Sequence, residues 1–244
     1  MEAMAHTAAY IPTLIEVDVQ RTRDGVLVLM HDDDVSRTTT GSGLVQQMSW
    51  DEVSGLVLTN NAGLATGART PTLEQALEWA RGRAILQLDI KRGVPLEDVA
   101  AAIRKADAQR HALVILYTVE DAALFARLDP TVSMNVNLAS AEALAALVAA
   151  GVDLDRVTAF TGLEAPDPAY WALLKSKGVS VAFGMLWRSD MEIAATGDDA
   201  RYARMAALGA DVLVTDRHFE AYRALEAGQN TRAAVAACST APIR

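Results

Sequence analysis

Cysteine is almost absent from this chain: Cys238 stands alone, in a tail of small residues. A lone thiol forms no internal disulfide, so the fold does not depend on an oxidising compartment and a cytoplasmic location is expected. No stretch approaches the ~20 apolar residues of a membrane span. The opening Met1-Glu2-Ala3-Met4-Ala5-His6 has no basic segment followed by an apolar run, so a periplasmic or secreted location would need a signal peptide upstream. Positive charge is also short: 22 Lys and Arg face 31 Asp and Glu, a net charge of −9. That balance opposes nucleic acid and anionic membrane as partners, although an anionic small molecule can still bind where a metal ion or local cations reverse the field in one pocket.

Aromatics are few, at 5%, yet 51% of residues are apolar and rich in Ala, Leu and Val, enough to bury a large core of helices on strands. Short Val, Ile and Leu runs read as strands at 15–19, 84–90, 113–118, 132–138, 157–161, 179–185 and 212–215. Their near-continuous apolar character suits parallel strands buried on both faces. Helical patterns lie between them. Thr72 with Gln75 and Ser49 with Glu52 form capping boxes. Leu73, Ala76, Leu77 and Ala80 make one buried stripe, and Leu96, Val99, Ala100 and Ile103 another. Ser140 opens a helix that stops at Gly151, and similar patterns end at Gly178, Gly209 and Gly228. The alternation of strand and helix predicts a parallel α/β architecture, either a barrel or an open doubly wound sheet. One domain is expected over residues 1–229, followed by a flexible tail over 230–244.

The segment Ile15-Glu16-Val17-Asp18-Val19 to Val26-Leu27-Val28-Leu29-Met30-His31-Asp32 carries the most chemistry. Asp24-Gly25 between its two apolar runs signals a hairpin with a two-residue loop. In that register Arg23 pairs with Val26 and Asp18 stands opposite His31, so Glu16, Asp18 and His31 share one face. Two carboxylates this close repel unless a cation lies between them, and hard oxygen ligands suit Mg²⁺ or Ca²⁺. Farther on, Asp89 and Lys91 share a face at the end of a buried strand, where α/β barrels gather their active sites. Asp89 can complete a three-carboxylate metal site, and Lys91 can neutralise a phosphate oxygen. Arg37, in an Arg-Thr-Thr-Thr-Gly loop, is a candidate for binding phosphate against the plainer reading of a solvated loop. His111 and His218 have no partner in sequence, and Trp171, Trp187, Tyr117 and Phe183 read as core or rim residues.

At these residues the chain resembles the glycerophosphodiester phosphodiesterase family. The resemblance rests on Glu16-Val17-Asp18-Val19, Thr22, Asp24-Gly25, His31-Asp32, Arg37-Thr38-Thr39, Gly41, Gly43, Pro71-Thr72-Leu73-Glu74 and Asp89-Ile90-Lys91, and continues more weakly to Val214-Thr215-Asp216. It implies a TIM-type (β/α)8 barrel that hydrolyses glycerophosphodiesters, such as deacylated phospholipids, to glycerol 3-phosphate and an alcohol. Carried onto this sequence, it makes Glu16, Asp18 and Asp89 metal ligands, with Asp89 in place of the usual glutamate. His31 becomes one of two catalytic histidines, and Lys91 a catalytic contact to phosphate.

The family pattern opens with a strand ending in His-Arg-Gly and a Pro-Glu-Asn segment, both upstream of the Glu-x-Asp strand; only fifteen residues stand there in this sequence, and His6 takes no role. The expectation is therefore a barrel lacking its first strand. Its exposed strand edges would favour a homo-oligomer, and the missing segment would be sought in coding sequence upstream of Met1. A noncatalytic barrel that binds metal or phosphodiester is the alternative function.

Overall fold

The computed structural model describes residues 1–163 and 165–226. The tail expected at 230–244, Cys238 within it and the helix end at Gly228 lie outside those residues. The chain divides into two compact units, the first ending at Ile115 and the second beginning at Leu116.

The first unit opens with α1 (Glu2–Tyr10), followed by β1 (Leu14–Arg21) and β2 (Leu27–Leu29). After an irregular excursion come α2 (Trp50–Gly55), α3 (Leu73–Ala80), β3 (Ile85–Ile90), α4 (Leu96–Lys105) and β4 (Ala112–Leu116). β1 is parallel to β3, and β3 to β4, while β2 folds back antiparallel on β1. Both capping boxes form: Ser49 with Glu52 opens α2, and Thr72 with Gln75 opens α3. The stripe Leu73, Ala76, Leu77 and Ala80 is fully buried, and α3 packs on β2, β3 and α4. Leu86 and Leu88 supply the fully buried apolar face of β3, which leaves Gln87 and Asp89 to the other face by the strand's period of two. Val28, Met30, Val35 and Val45 form a small core of their own under the excursion, flanked by Val26, Met48, Trp50 and Leu56.

The second unit holds α5 (Val119–Leu128), β5 (Ser133–Asn137), α6 (Ala141–Ala149), β6 (Val157–Phe160), α7 (Pro168–Ser176) and β7 (Ser180–Gly184). It continues with α8 (Arg188–Thr196), α9 (Ala200–Leu208), β8 (Val212–Val214) and α10 (His218–Leu225). Strands β5 to β8 are parallel, each paired with the next. Asp167 caps α7 through two backbone amides, with Pro168 in the first turn, where a missing N–H costs nothing. Trp171 is buried against the edge of Phe183, with ring centroids 5.2 Å apart, and its indole N–H donates to Thr161 Oγ1 at 3.0 Å. Trp187 and Tyr117 are exposed.

Each of the seven expected strands is present, and the return arm of the hairpin forms β2. No helix among the described residues is long and apolar enough to cross a membrane. α1 has no signal in the sequence: its apolar residues follow no strong helical stripe, and only Met4 is buried. His111 is buried in the first unit, where its ring nitrogen Nε2 pairs with the Leu77 carbonyl at 2.9 Å and burial pushes its pKa down. His218 begins α10 and stacks on Phe219.

Candidate metal centre and its histidine

Parallel pairing of β1 with β3 sets Asp18 beside Asp89 and Glu16 beside Gln87. Residues paired this way point to the same face, so Glu16, Asp18 and Asp89 converge. Carboxylate oxygens from the three lie within 4.8 Å of one another. Lys91 follows Asp89 by two residues and so returns to the same face; its backbone N–H donates to the Val19 carbonyl at 3.0 Å, extending the β1 and β3 ladder. Its ammonium Nζ sits 2.5 Å from Asp18 Oδ1 and 2.6 Å from Asp89 Oδ2. A cationic group thus already stands where the carboxylates meet.

The charges of this cluster do not balance around Glu16. Burial first, then the charges of Asp18 and Asp89, raise its pKa to about 7, although Lys91 and His31 pull it down. Glu16 keeps solvent-exposed surface, but the crowding of protein atoms and two neighbouring carboxylates still weakens its ionised form. For Lys91, burial alone would lower the pKa, yet its hydrogen bonds to Asp18 and Asp89 and their charges outweigh it and hold the amine protonated. Three hard oxygen donors with excess negative charge fit a divalent cation such as Mg²⁺ or Ca²⁺, and they do not fit a soft metal that seeks thiolate or imidazole.

The hairpin differs from expectation by one residue. Val19 pairs with Leu29, Gln20 with Val28 and Arg21 with Leu27, so the loop holds Arg23, Asp24 and Gly25 rather than Asp24 and Gly25 alone. Thr22 N–H donates to the Val26 carbonyl at 2.9 Å, and Gly25 takes a φ of +91°, a conformation that favours glycine. In this register Asp18 stands opposite Met30, whose N–H donates to the Asp18 carbonyl at 3.0 Å. A strand continued from there would turn His31 to the face away from Glu16. The strand stops instead at Leu29, and the chain bends through His31, Asp32 and Asp33. After that bend strand parity no longer directs the His31 side chain, whose charge acts on Glu16 only after burial and the charges of Asp18, Asp89 and Lys91.

His31 is exposed, and its Nδ1 lies 2.6 Å from Asp32 Oδ1. Arg37 meets the same carboxylate with two nitrogens, Nη2 to Oδ1 at 2.8 Å and Nε to Oδ2. The Arg37 hydrogen bond, with that of His31 second, holds the Asp32 carboxyl far below the usual carboxylate range. Asp32 joins the site although the sequence assigns it no role there; its position directly after His31 is the signal that could have found it. Arg37, a candidate for phosphate, spends two of its nitrogens on Asp32.

Fold and site together define an α/β protein with a candidate metal cluster of three carboxylates carried by the adjacent strands β1 and β3. Residues 1–122 match the glycerophosphoryl diester phosphodiesterase family, half of the chain, and the protein belongs to that family. The uncharacterized protein YqiK of Bacillus subtilis is 30% identical over 133 residues, which cover 50% of this chain and 53% of that protein. A glycerophosphodiester phosphodiesterase of Caldanaerobacter subterraneus is 33% identical over 111 residues, covering 41% and 44%. The chain thus spans about half the length of these curated relatives in its matches. A glycerophosphoryl diester phosphodiesterase structure from Parabacteroides distasonis superposes with a TM-score of 0.86 at 27% identity, covering 95% of this chain and 83% of that one. An Oleispira antarctica phosphodiesterase in complex with the product sn-glycerol-3-phosphate shares the fold, with a TM-score of 0.71 at 20% identity over 93% and 90%. The fold class is the TIM-type α/β barrel, short of one strand, that is expected from the sequence, with seven parallel strands and the antiparallel β2 among the described residues.

Proposed function

We propose that this chain is a divalent-metal-dependent hydrolase that cleaves glycerophosphodiesters to glycerol 3-phosphate and an alcohol. The observation that carries the reading is the convergence of Glu16, Asp18 and Asp89 oxygens within 4.8 Å, beside the Lys91 ammonium. Relatives named for this activity, and a fold neighbour holding sn-glycerol-3-phosphate, support the substrate class.

In this reading Glu16, Asp18 and Asp89 hold Mg²⁺ or Ca²⁺. When bound, the ion polarises the phosphoryl group and offsets charge gathering on its oxygens. Lys91 contributes a fixed positive charge at the end of β3, where its ammonium can pass from carboxylate to phosphate oxygen as a point charge. His31 moves a proton at an oxygen of the phosphodiester. Overall a water oxygen forms a new bond to phosphorus, the bond from phosphorus to the alcohol oxygen breaks, and one water proton ends on the departing alcohol. In this reading Arg37 holds Asp32 through its Nε and Nη2 and is not assigned the substrate contact.

The test is release of glycerol 3-phosphate from glycerophosphodiesters with choline, ethanolamine and glycerol head groups, with Mg²⁺ or Ca²⁺ and then with a chelator. Turnover that needs the divalent ion and falls ~10²–10⁴-fold in His31→Ala supports the reading. Metal binding without turnover on any of the three would replace it with a noncatalytic binding protein.

A further inference from the structure

We infer that Asp32 is a positioning residue for His31, and that Arg37 serves the site by holding Asp32 rather than by touching substrate. The inference deepens the phosphodiesterase reading and rests on it for its kinetic consequence.

Three aspartates follow His31 in succession, and each has a different partner. Asp33 accepts from the Nε2 of Gln20, a residue fully buried on β1, at 3.0 Å. Asp34 accepts from the Ser36 backbone N–H at 2.8 Å and so opens the short turn of helix at Val35–Arg37. The loop is therefore anchored on both sides without help from Asp32. Asp32 alone turns to the imidazole, and it is the most sheltered of its group, with 25% of its side chain exposed against 66% for His31 and 62% for Arg37.

A carboxylate only accepts hydrogen bonds, so the ring nitrogen facing Asp32 must carry a hydrogen. That fixes neutral His31 as the tautomer protonated on Nδ1 and leaves Nε2 as the nitrogen that takes up or gives a proton. Arg37 supplies the second half. Its two nitrogens grip both carboxylate oxygens, the geometry in which an arginine pair gains most in strength and direction. An exposed ion pair adds little stability by itself. Its value here lies in orientation, because an imidazole 66% exposed on a bend has nothing else described to fix its ring. The depressed pKa of Asp32 agrees with this, since the carboxylate stays ionised wherever His31 exchanges protons.

The experiment combines kinetics with NMR of labelled imidazole nitrogens in Asp32→Asn, Asp32→Glu, Arg37→Ala and His31→Ala, each checked for an unchanged melting profile. For Asp32→Asn we expect kcat to fall ~100-fold with KM little changed, the scale of a misplaced catalytic group. Asp32→Glu should recover part of the loss and Arg37→Ala should lose less. Adding Asp32→Asn to His31→Ala should cost nothing further, because Asp32 acts through the imidazole. The nitrogen spectrum should show neutral His31 protonated on Nδ1 in the wild type and a mixture of tautomers in Asp32→Asn. An equal loss with and without His31, a loss confined to KM, or an unchanged tautomer overturns the inference. If the wild type has no turnover, the phosphodiesterase reading fails by itself, and the tautomer still decides the role of Asp32.

Discussion

Each of the two units contains a cluster built on carboxylates, and the clusters handle charge in opposite ways. In the second unit Asp190, on α8, is 5% exposed and fully surrounded. Tyr202 from α9 donates to it at 2.7 Å, Thr215 just past β8 at 2.8 Å, and the Asp216 backbone N–H at 2.9 Å. Burying a charge is tolerable when donors replace the lost water, and here three donors tie two helices to a strand end. In the first unit three carboxylates meet one ammonium, and Glu16 responds by holding its proton up to about 7. A saturated carboxylate is a structural knot. A cluster with negative charge in excess is a place that gains from receiving a cation.

This contrast can be broken most directly at Asp18. Asp18→Ala should weaken Mg²⁺ or Ca²⁺ binding by more than about 100-fold in calorimetry, since loss of outer partners alone costs a metal site ~10–100-fold. Unchanged affinity would mean that the acidic cluster is not the metal centre. Next in size, Tyr202→Phe removes a hydrogen bond from a buried charge and should cost ~1.5–3 kcal/mol in urea denaturation, with kcat unaltered in the folded protein. A loss of turnover in the folded variant would show that the Asp190 knot belongs to the chemistry after all.

The smallest effect concerns Glu16 and sharpens the comparison through pH. Its pKa is raised from 4.5 unfolded to about 7 folded, so its contribution to stability is whole below 4.5 and is lost as pH rises through 7. In metal-free buffer Glu16→Gln should therefore match the wild type near pH 4 and melt a few degrees higher above pH 7. Melting curves across that range, with a chelator present, measure the difference; a gap that narrows with rising pH would contradict the assignment.

Much of the architecture was legible because burial imposes period. The strand runs and the stripe on α3 follow from which faces must be apolar, and the caps at Ser49 and Thr72 follow from orphan amides at helix starts. The hairpin register was less legible, because the loop around Gly25 is settled by distant partners. Asp24 accepts from the Trp50 backbone N–H at 2.9 Å, and the Arg23 N–H donates to the Met48 carbonyl at 2.8 Å. Those contacts tie the loop to the start of α2 and extend it by one residue. The bend after Met30 then takes His31 out of the strand, so strand parity no longer sets the direction of its side chain.

The sequence by itself determined that Glu16 and Asp18 share one face, that Asp89 and Lys91 share another, and that strands and helices alternate, because side-chain direction repeats along any strand or helix. Only the tertiary structure decided that those faces adjoin, through the pairing of Asp18 with Asp89, and that Asp32 stands between His31 and Arg37. Such meetings depend on register and chain reversal, and both are fixed by contacts between residues far apart in sequence.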